Sequence, residues 1–377
     1  MRIYLDNNAT TPLDPGVLGV LNDALRDVFG NASSVHKEGQ TARRRIEDAR
    51  DAVALLIGAA SREIVFTSGG TESNNAAIFG VIGNHGRHHI VTTSIEHPSV
   101  LEPVQELARR GHGVTLVPPA RSGEVSAPAM IAAIRPDTRL VTMMLANNET
   151  GVVQPVEEVA RACRERGIHF HCDAVQAIGK IAVDVNALAV DSLAMGGHKF
   201  HAPKGIGALY VRQGLVLDRH LFGGSQERRR RAGTENVPLA VAFGAAAGIV
   251  RDLAPTNDVA ALRDRLERGV PGSEFSITIN GAGARRLPNT SSITFHGADA
   301  EGIVIGLDLK GVAVSTGSAC SSGRVEPSRI LSAMGLSDDD ARSTVRISLS
   351  RFTTSAEIDR AVELIREVVP RCMRVAT

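Results

Sequence analysis

The stretch Gly196-Gly197-His198-Lys199-Phe200 sets a lysine directly behind an apolar run, Ser192-Leu193-Ala194-Met195. An amine held where water is scarce loses its proton readily and can attack a carbonyl as a Schiff-base nucleophile. A surface lysine in a loop is the other reading of the same residues. Residues 168–173 alternate, so His169, His171 and Asp173 share one strand face and Ile168, Phe170 and Cys172 the other. That polar face could hold a metal, could present Asp173 to a cationic ring nitrogen with the histidines in support, or could be a polar sheet face without a ligand. No HExxH or paired-cysteine motif offers further metal ligands. Cys320 stands in Ser315-Thr316-Gly317-Ser318-Ala319-Cys320-Ser321-Ser322-Gly323, among small residues with no packing anchor. A structural cysteine sits among apolar side chains, so this one reads as an exposed, reactive thiol. Cys163 and Cys172 read as core, and Cys372 as incidental. Arg351, between the last strand and the last helix, carries a planar fork suited to a carboxylate, with Arg346 as the competing candidate.

The elements around these groups follow from their periods. Residues 63–67 predict a short buried strand, followed by Ser68-Gly69-Gly70-Thr71-Glu72-Ser73-Asn74 and a helix to about residue 81. Strand, glycine turn and helix start is the layout that aims backbone N–H groups at a phosphate, or simply makes a tight turn. It matches neither GxGxxG nor GxxxxGK[ST], so a dinucleotide or nucleoside triphosphate is not indicated. Further strands are predicted at 89–93, 114–117, 139–145, 168–173, 191–195 and 206–211, with helices between several of them. Such alternation implies an α/β domain with a mostly parallel sheet covered on both faces, where ligands sit at the strands' carboxyl ends. Thr71, His97, Asn148, Asp173 and Lys199 all fall at or just beyond such ends.

Past a linker near 255–258 the pattern becomes α+β, with strands near 275–279, 291–295, 312–314 and 345–349. A last helix opens on a capping box from Thr354 to Glu357. The expected organisation is a large domain over 13–257 and a small one built from 1–12 and 258–377, the latter carrying the cysteine loop.

The 377 residues carry a net charge of +1, which predicts no bulk attraction to nucleic acid or membranes; the run Arg228-Arg229-Arg230-Arg231 is the one local exception. No apolar run reaches spanning length, no signal-peptide core follows Met1, and the four cysteines show no framework spacing. A cytoplasmic protein with reduced thiols is expected.

Taken together, Tyr4-Leu5-Asp6-Asn7-Asn8-Ala9-Thr10-Thr11-Pro12, Thr67-Ser68-Gly69-Gly70-Thr71-Glu72-Ser73-Asn74, Asn147-Asn148-Glu149-Thr150-Gly151, Gly197-His198-Lys199, Ser318-Ala319-Cys320 and Arg351-Phe352-Thr353-Thr354 resemble the cysteine desulfurases of the NifS/IscS type. These are pyridoxal 5'-phosphate enzymes of aminotransferase fold type I, class V. The resemblance implies that Lys199 holds the cofactor as a Schiff base and moves protons at the substrate Cα. It implies that Asp173 faces the pyridine nitrogen, that Gln176 and Asn148 bond the ring's 3-oxygen region, and that His97 stacks on the ring as an acid/base. Gly70, Thr71 and His198 would bind the phosphate, joined by Thr234 from the neighbouring subunit of a homodimer. Arg351 would clamp the carboxylate of L-cysteine, and Cys320 would take its sulfur as a persulfide and pass it to an acceptor protein in iron–sulfur cluster assembly, thio-cofactor synthesis or tRNA thiolation. A selenocysteine or other C–S lyase, a degenerate scaffold of the same fold and a metal-dependent hydrolase are the competing readings. Two positions depart from the pattern: Gly196 stands where a phosphate-binding serine is usual, and Ser225 replaces a glycine. One hydrogen bond lost to a charged acceptor costs roughly 1.5–3 kcal/mol unless another donor replaces it.

Overall fold

A computed structural model describes residues 2–83, 86–253, 258–316 and 327–374. In chain order the strands are β1 (Ile3–Tyr4), β2 (Ile64–Thr67), β3 (His89–Thr93), β4 (Gly113–Val117), β5 (Thr138–Met144), β6 (His169–Asp173), β7 (Ser192–Gly196) and β8 (Gly207–Val211). They continue as β9 (Ile277–Ile279), β10 (Thr290–Phe295), β11 (Val312–Ala313) and β12 (Thr344–Ser348). The first four helices are α1 (Pro15–Asp27), α2 (Lys37–Leu56), α3 (Gly70–Ile82) and α4 (Pro98–Arg109).

Seven strands form one sheet in the order β2-β8-β7-β6-β5-β3-β4. Only β8 runs against the rest, pairing antiparallel with both β2 and β7. Because helices cover both faces, the central strands are buried almost throughout, and β7 along its whole length. The parallel strands therefore all deliver their carboxyl ends to one edge, as the alternation of periods predicts.

A second apolar core is made by Ile3 and Leu5 together with residues from Leu266 to Val369. There β10 pairs antiparallel with β9 and β12, while β1 pairs in parallel with β11, Ile3 opposite Val312. The chain start thus lies beside strands some three hundred residues further on. The capping box at the last helix, Ser355–Val368, is present: Glu357 N–H donates to Thr354 Oγ1 at 3.2 Å, and Thr354 N–H donates to Glu357 Oε2 at 2.8 Å. Residues 254–257, most of the expected linker, lie outside the described residues.

Three of the four arginines in the run are engaged within the chain. Arg231 pairs with Glu72 at 2.9 Å, Arg228 with Glu47 at 3.1 Å, and Arg230 donates to the Arg62 carbonyl at 3.1 Å. The local backbone is strained: Glu227, Arg228 and Arg229 all take positive φ, at 47°, 55° and 66°. Such a conformation costs a non-glycine residue about 1–2 kcal/mol. What holds it is a buried two-pronged pair, Arg50 Nη1 to Glu227 Oε2 at 2.6 Å and Nη2 to Oε1 at 2.9 Å. Phe66 N–H donates to the same carboxylate at 3.1 Å, which staples the loop to β2. Arg50→Met leaves that carboxylate buried and uncompensated. Urea unfolding should show a loss of about 3–5 kcal/mol, and less for Glu227→Gln. An Arg50→Met protein as stable as the parent would show that the pair does not hold the loop.

Candidate active site

One 3₁₀ turn, Gly197–Lys199, follows β7 and turns Lys199 back over the strand ends. Its Nζ donates to the carbonyls of Asn8 at 2.6 Å and Ala9 at 2.8 Å. Burial, then the nearby Arg346 guanidinium, pulls its pKa down to about 8, against the opposing pull of Asp173 and Asp6. An amine in that range is uncharged in a substantial fraction near neutrality, as a carbonyl nucleophile requires.

Asn8 is the floor of this site, and every polar atom it has is engaged. Its carbonyl takes Lys199 and also Gln176 Nε2 at 3.0 Å; its Oδ1 takes Lys180 Nζ at 2.9 Å and Asn289 Nδ2 at 3.0 Å. Its Nδ2 donates to the Asn148 carbonyl at 3.1 Å and to Thr290 Oγ1 at 2.9 Å, and its N–H to Ser348 Oγ at 2.9 Å. Lys180 also donates to Gln176 Oε1 at 2.6 Å, and burial, then Lys199, holds its own pKa well down. Gln176 is therefore occupied by Asn8 and Lys180, while Asn148 keeps a buried Oδ1 with no partner among the described residues. Of the two amides expected at the ring's 3-oxygen, Asn148 is the one with capacity to spare.

At the carboxyl end of β6, Asp173 Oδ2 accepts from Asn74 Nδ2 at 2.8 Å and its Oδ1 from Val175 N–H at 3.0 Å. His171 and His169, on the same strand face, turn to Asn74 and Ser192 through hydrogen bonds of 2.8–2.9 Å. Burial depresses both imidazoles, to about 3 for His171 and about 4 for His169. No cluster of three or more metal-ligating side chains occurs among the described residues. His97 caps α4: its Nδ1 accepts from Ser99 N–H at 3.1 Å and pairs with Ser99 Oγ at 2.7 Å. Desolvation lowers its pKa, with Asp173 opposing.

The glycine turn leads into α3 with no side chain capping its first N–H groups, an anion-binding arrangement. A Cβ at Gly207 would meet Gly69 Cα at 2.6 Å and the Met195 carbonyl at 2.5 Å, so β8 can lie against this turn only as glycine. Gly196 lies close as well, and a Cβ there would stand 3.3 Å from Val175 Cγ1. Val175 thus occupies the side on which a serine would project. His198, at the turn before Lys199, is held to about 4 by burial and then by Lys199 and other lysines; its Nδ1 pairs with Thr10 Oγ1 at 3.2 Å.

Arg346 and Arg351 are each anchored to a carboxylate. Arg346 is buried and donates to Asp6 at 2.8 Å and the Asn148 carbonyl at 3.1 Å, while its Nε has no partner among the described residues. Arg351 contacts Asp14 through Nη2 and lies over the Phe352 ring at 4.5 Å, but its Nη1 is buried with no partner among the described residues. It shares a cavity of about 580 Å³ with Lys199, Lys180, Thr11 and His201. Thr234 does not join this group within one chain. It lines a separate cavity of about 260 Å³ with Ser68, Gly205 and Arg231. Cys320 lies outside the described residues. Cys163 and Cys172 are buried, as expected of core thiols.

An uncapped helix start, a lysine with a lowered pKa, a carboxylate at a strand end and an unpaired buried amide oxygen suit an aldehyde-bearing pyridine phosphate. Asn8, Asn74 and Lys180 were not singled out by type and spacing, although Asn8 and Asn74 lie inside the quoted motifs.

Residues 3–361 match the family described as aminotransferase class-V. A curated relative from Nostoc sp., named cysteine desulfurase, is 45% identical over 372 residues, covering 98% of this chain and 93% of its own. A solved structure titled NifS-like protein superposes with a TM-score of 0.91 at 36% identity, covering 98% of this chain and 99% of the other. Another, titled SspA in complex with cysteine, gives 0.83 at 37% identity, covering 94% and 100%. The chain belongs to the class-V aminotransferase family and, within it, to the cysteine desulfurases of the NifS/IscS type.

Proposed function

We propose that this protein takes the sulfur of L-cysteine, releases alanine and hands the sulfur to an acceptor protein by way of Cys320. The observation that carries the reading is the lowered amine of Lys199 sharing one cavity with the half-committed Arg351. It stands in a chain alike over its whole length to cysteine desulfurases, and a structural neighbour titled as a complex with cysteine supports the substrate.

Lys199 would hold pyridoxal 5'-phosphate covalently, with Asp173 at the ring nitrogen, His97 against the ring and Asn148 beside its 3-oxygen. The start of α3 at Gly70 and Thr71, with His198, would hold the phosphate. When bound, the cofactor supplies an electron sink conjugated to the substrate's Cα. Arg351 presents its free Nη1 to the incoming carboxylate, and Asp14 steadies the guanidinium from the other side. Asp14 is itself kept below the usual carboxylate range: burial works to raise it, but Arg351 and the amides of Val17 and Gly16 outweigh that. Lys199, once freed, is the base placed at the substrate's Cα. The Cys320 thiolate then forms an S–S bond to the substrate sulfur as the substrate's Cβ–S bond breaks. The electron pair left on carbon is quenched by a proton, giving alanine, and Cys320 keeps the persulfide.

A homodimer fits Thr234 lying apart from Lys199 and fits the exposed apolar side chains Phe29, Val35 and Phe222, at 80%, 87% and 78% exposure. A cytoplasmic setting fits thiol chemistry. Among the described residues no helix is long and apolar enough to cross a membrane. The acceptor is a protein of iron–sulfur cluster, thio-cofactor or tRNA-thiolation chemistry.

Lys199→Ala should abolish the visible absorbance of the cofactor-loaded protein and cut alanine formation by at least about 10²–10⁴-fold. A colourless parent protein would overturn the reading. Cys320→Ser should keep the absorbance but lose sulfur transfer. Undiminished sulfur release from cysteine by that variant would reassign the chain to the C–S lyases. Because Lys199 must be uncharged to bond the cofactor, uptake of pyridoxal phosphate by apoprotein should quicken as pH rises and level off above about 8. Stopped-flow absorbance between pH 6 and 10 measures this, and a rate still rising at pH 10 would mean an ordinary lysine.

A further inference from the structure

Asn74 joins the two groups that would work on the cofactor ring, and the chemistry of its neighbours allows only one placement of its protons. Asn74, His171 and Ser192 are fully buried and Asp173 and Ser99 nearly so. Asp173 Oδ2 can only accept, so the atom 2.8 Å from it must be the amide nitrogen of Asn74. The same nitrogen reaches Ser99 Oγ at 2.8 Å. Asn74 Oδ1 therefore faces His171 Nε2 at 2.9 Å, and that nitrogen must carry a proton.

His171 is neutral, so its Nδ1 is an acceptor and takes the Ser192 hydroxyl proton at 2.9 Å. Ser192, its single proton spent, accepts from His169 Nε2 at 2.8 Å. In the other direction Ser99 accepts from Asn74 and gives its own proton to His97 Nδ1 at 2.7 Å, where Ser99 N–H also points at 3.1 Å. A proton on His97 Nδ1 would oppose that N–H. The neutral imidazole therefore keeps its proton on Nε2.

We propose that Asn74 and His171 are positioning residues of this reaction. Through one directed chain of hydrogen bonds they hold Asp173 as a pure acceptor for the ring nitrogen and order the His171 proton. The Ser192 hydroxyl, able to donate or accept, follows that order: it donates to His171 Nδ1, and the Nε2 proton facing Asn74 Oδ1 completes the fixed orientation of the amide. A reversed amide would set Oδ1 against the Asp173 carboxylate and its N–H groups against the His171 N–H. The strand face of His169, His171 and Asp173 thus acts as a proton-ordering device.

This inference rests on the reading of the site as a pyridoxal-phosphate site, but its first test needs no cofactor. In full-length apoprotein labelled with ¹⁵N-histidine, long-range ¹H–¹⁵N spectra report each imidazole's tautomer. His97 and His171 should both be Nε2–H. Asn74→Leu removes both donors at similar volume. It should leave His171 a mixture of tautomers and raise the dissociation constant for pyridoxal phosphate by roughly ten- to a hundredfold, the loss of one hydrogen bond to a charged group. Should Asn74→Leu fail to fold, Asn74→Ala should release the His171 tautomer and weaken cofactor binding in the same direction. Nδ1–H at His171 in the parent, or an unchanged His171 tautomer and cofactor affinity in the folded variants, would overturn the proposal. The expected tautomers in a protein that never binds pyridoxal phosphate would instead overturn the function while leaving the chain of hydrogen bonds in place.

Discussion

The seven hydrogen bonds of Asn8 are the constraint on which the rest of the site depends. Lys199, Lys180 and Gln176 reach it from the elements of the large sheet, and Asn289, Thr290 and Ser348 from the strands of the second core. A single buried residue, 1% exposed, thereby ties the two cores together where Lys199 sits. Burial makes the arrangement demanding, since any partner removed leaves a polar atom unsatisfied in a low dielectric.

The lysine is prepared by opposing fields. Desolvation and Arg346 favour the free amine, while Asp173 and Asp6 favour the ammonium, and the balance falls at about 8. Arg346 contributes through a side chain already bound to Asp6, so it acts on Lys199 as a fixed charge. Arg351 is likewise anchored to a carboxylate, Asp14, and each guanidinium keeps one buried nitrogen without a partner among the described residues, Nε in Arg346 and Nη1 in Arg351. They differ in that Arg351 lines the cavity that Lys199 also lines.

Much of this was legible along the chain. The strands, the turns that follow them and the capping box at Thr354 answer to local periods and dipeptides, which act within a few residues. Since parallel strands share one carboxyl edge, their ends alone brought Thr71, His97, Asn148, Asp173 and Lys199 to the same side of the sheet. The four arginines show the limit. Their run resembles a basic patch, yet the partners that absorb three of them lie far away in sequence, at Glu47, Arg62 and Glu72.

By itself, the sequence determined the strand–helix order, the apolar faces and the types of side chain at the strand ends, because these follow from period and composition. Tertiary structure alone decided how those side chains are satisfied. Asn74 meets Asp173 across 99 residues and Asn8 meets Asn289 across 281, distances at which spacing carries no signal. The commitment of Gln176 to Asn8 and the turning of His169 and His171 to hydrogen bonding were settled there. Each depends on which donor and acceptor are buried together, and only the packed chain brings them into reach.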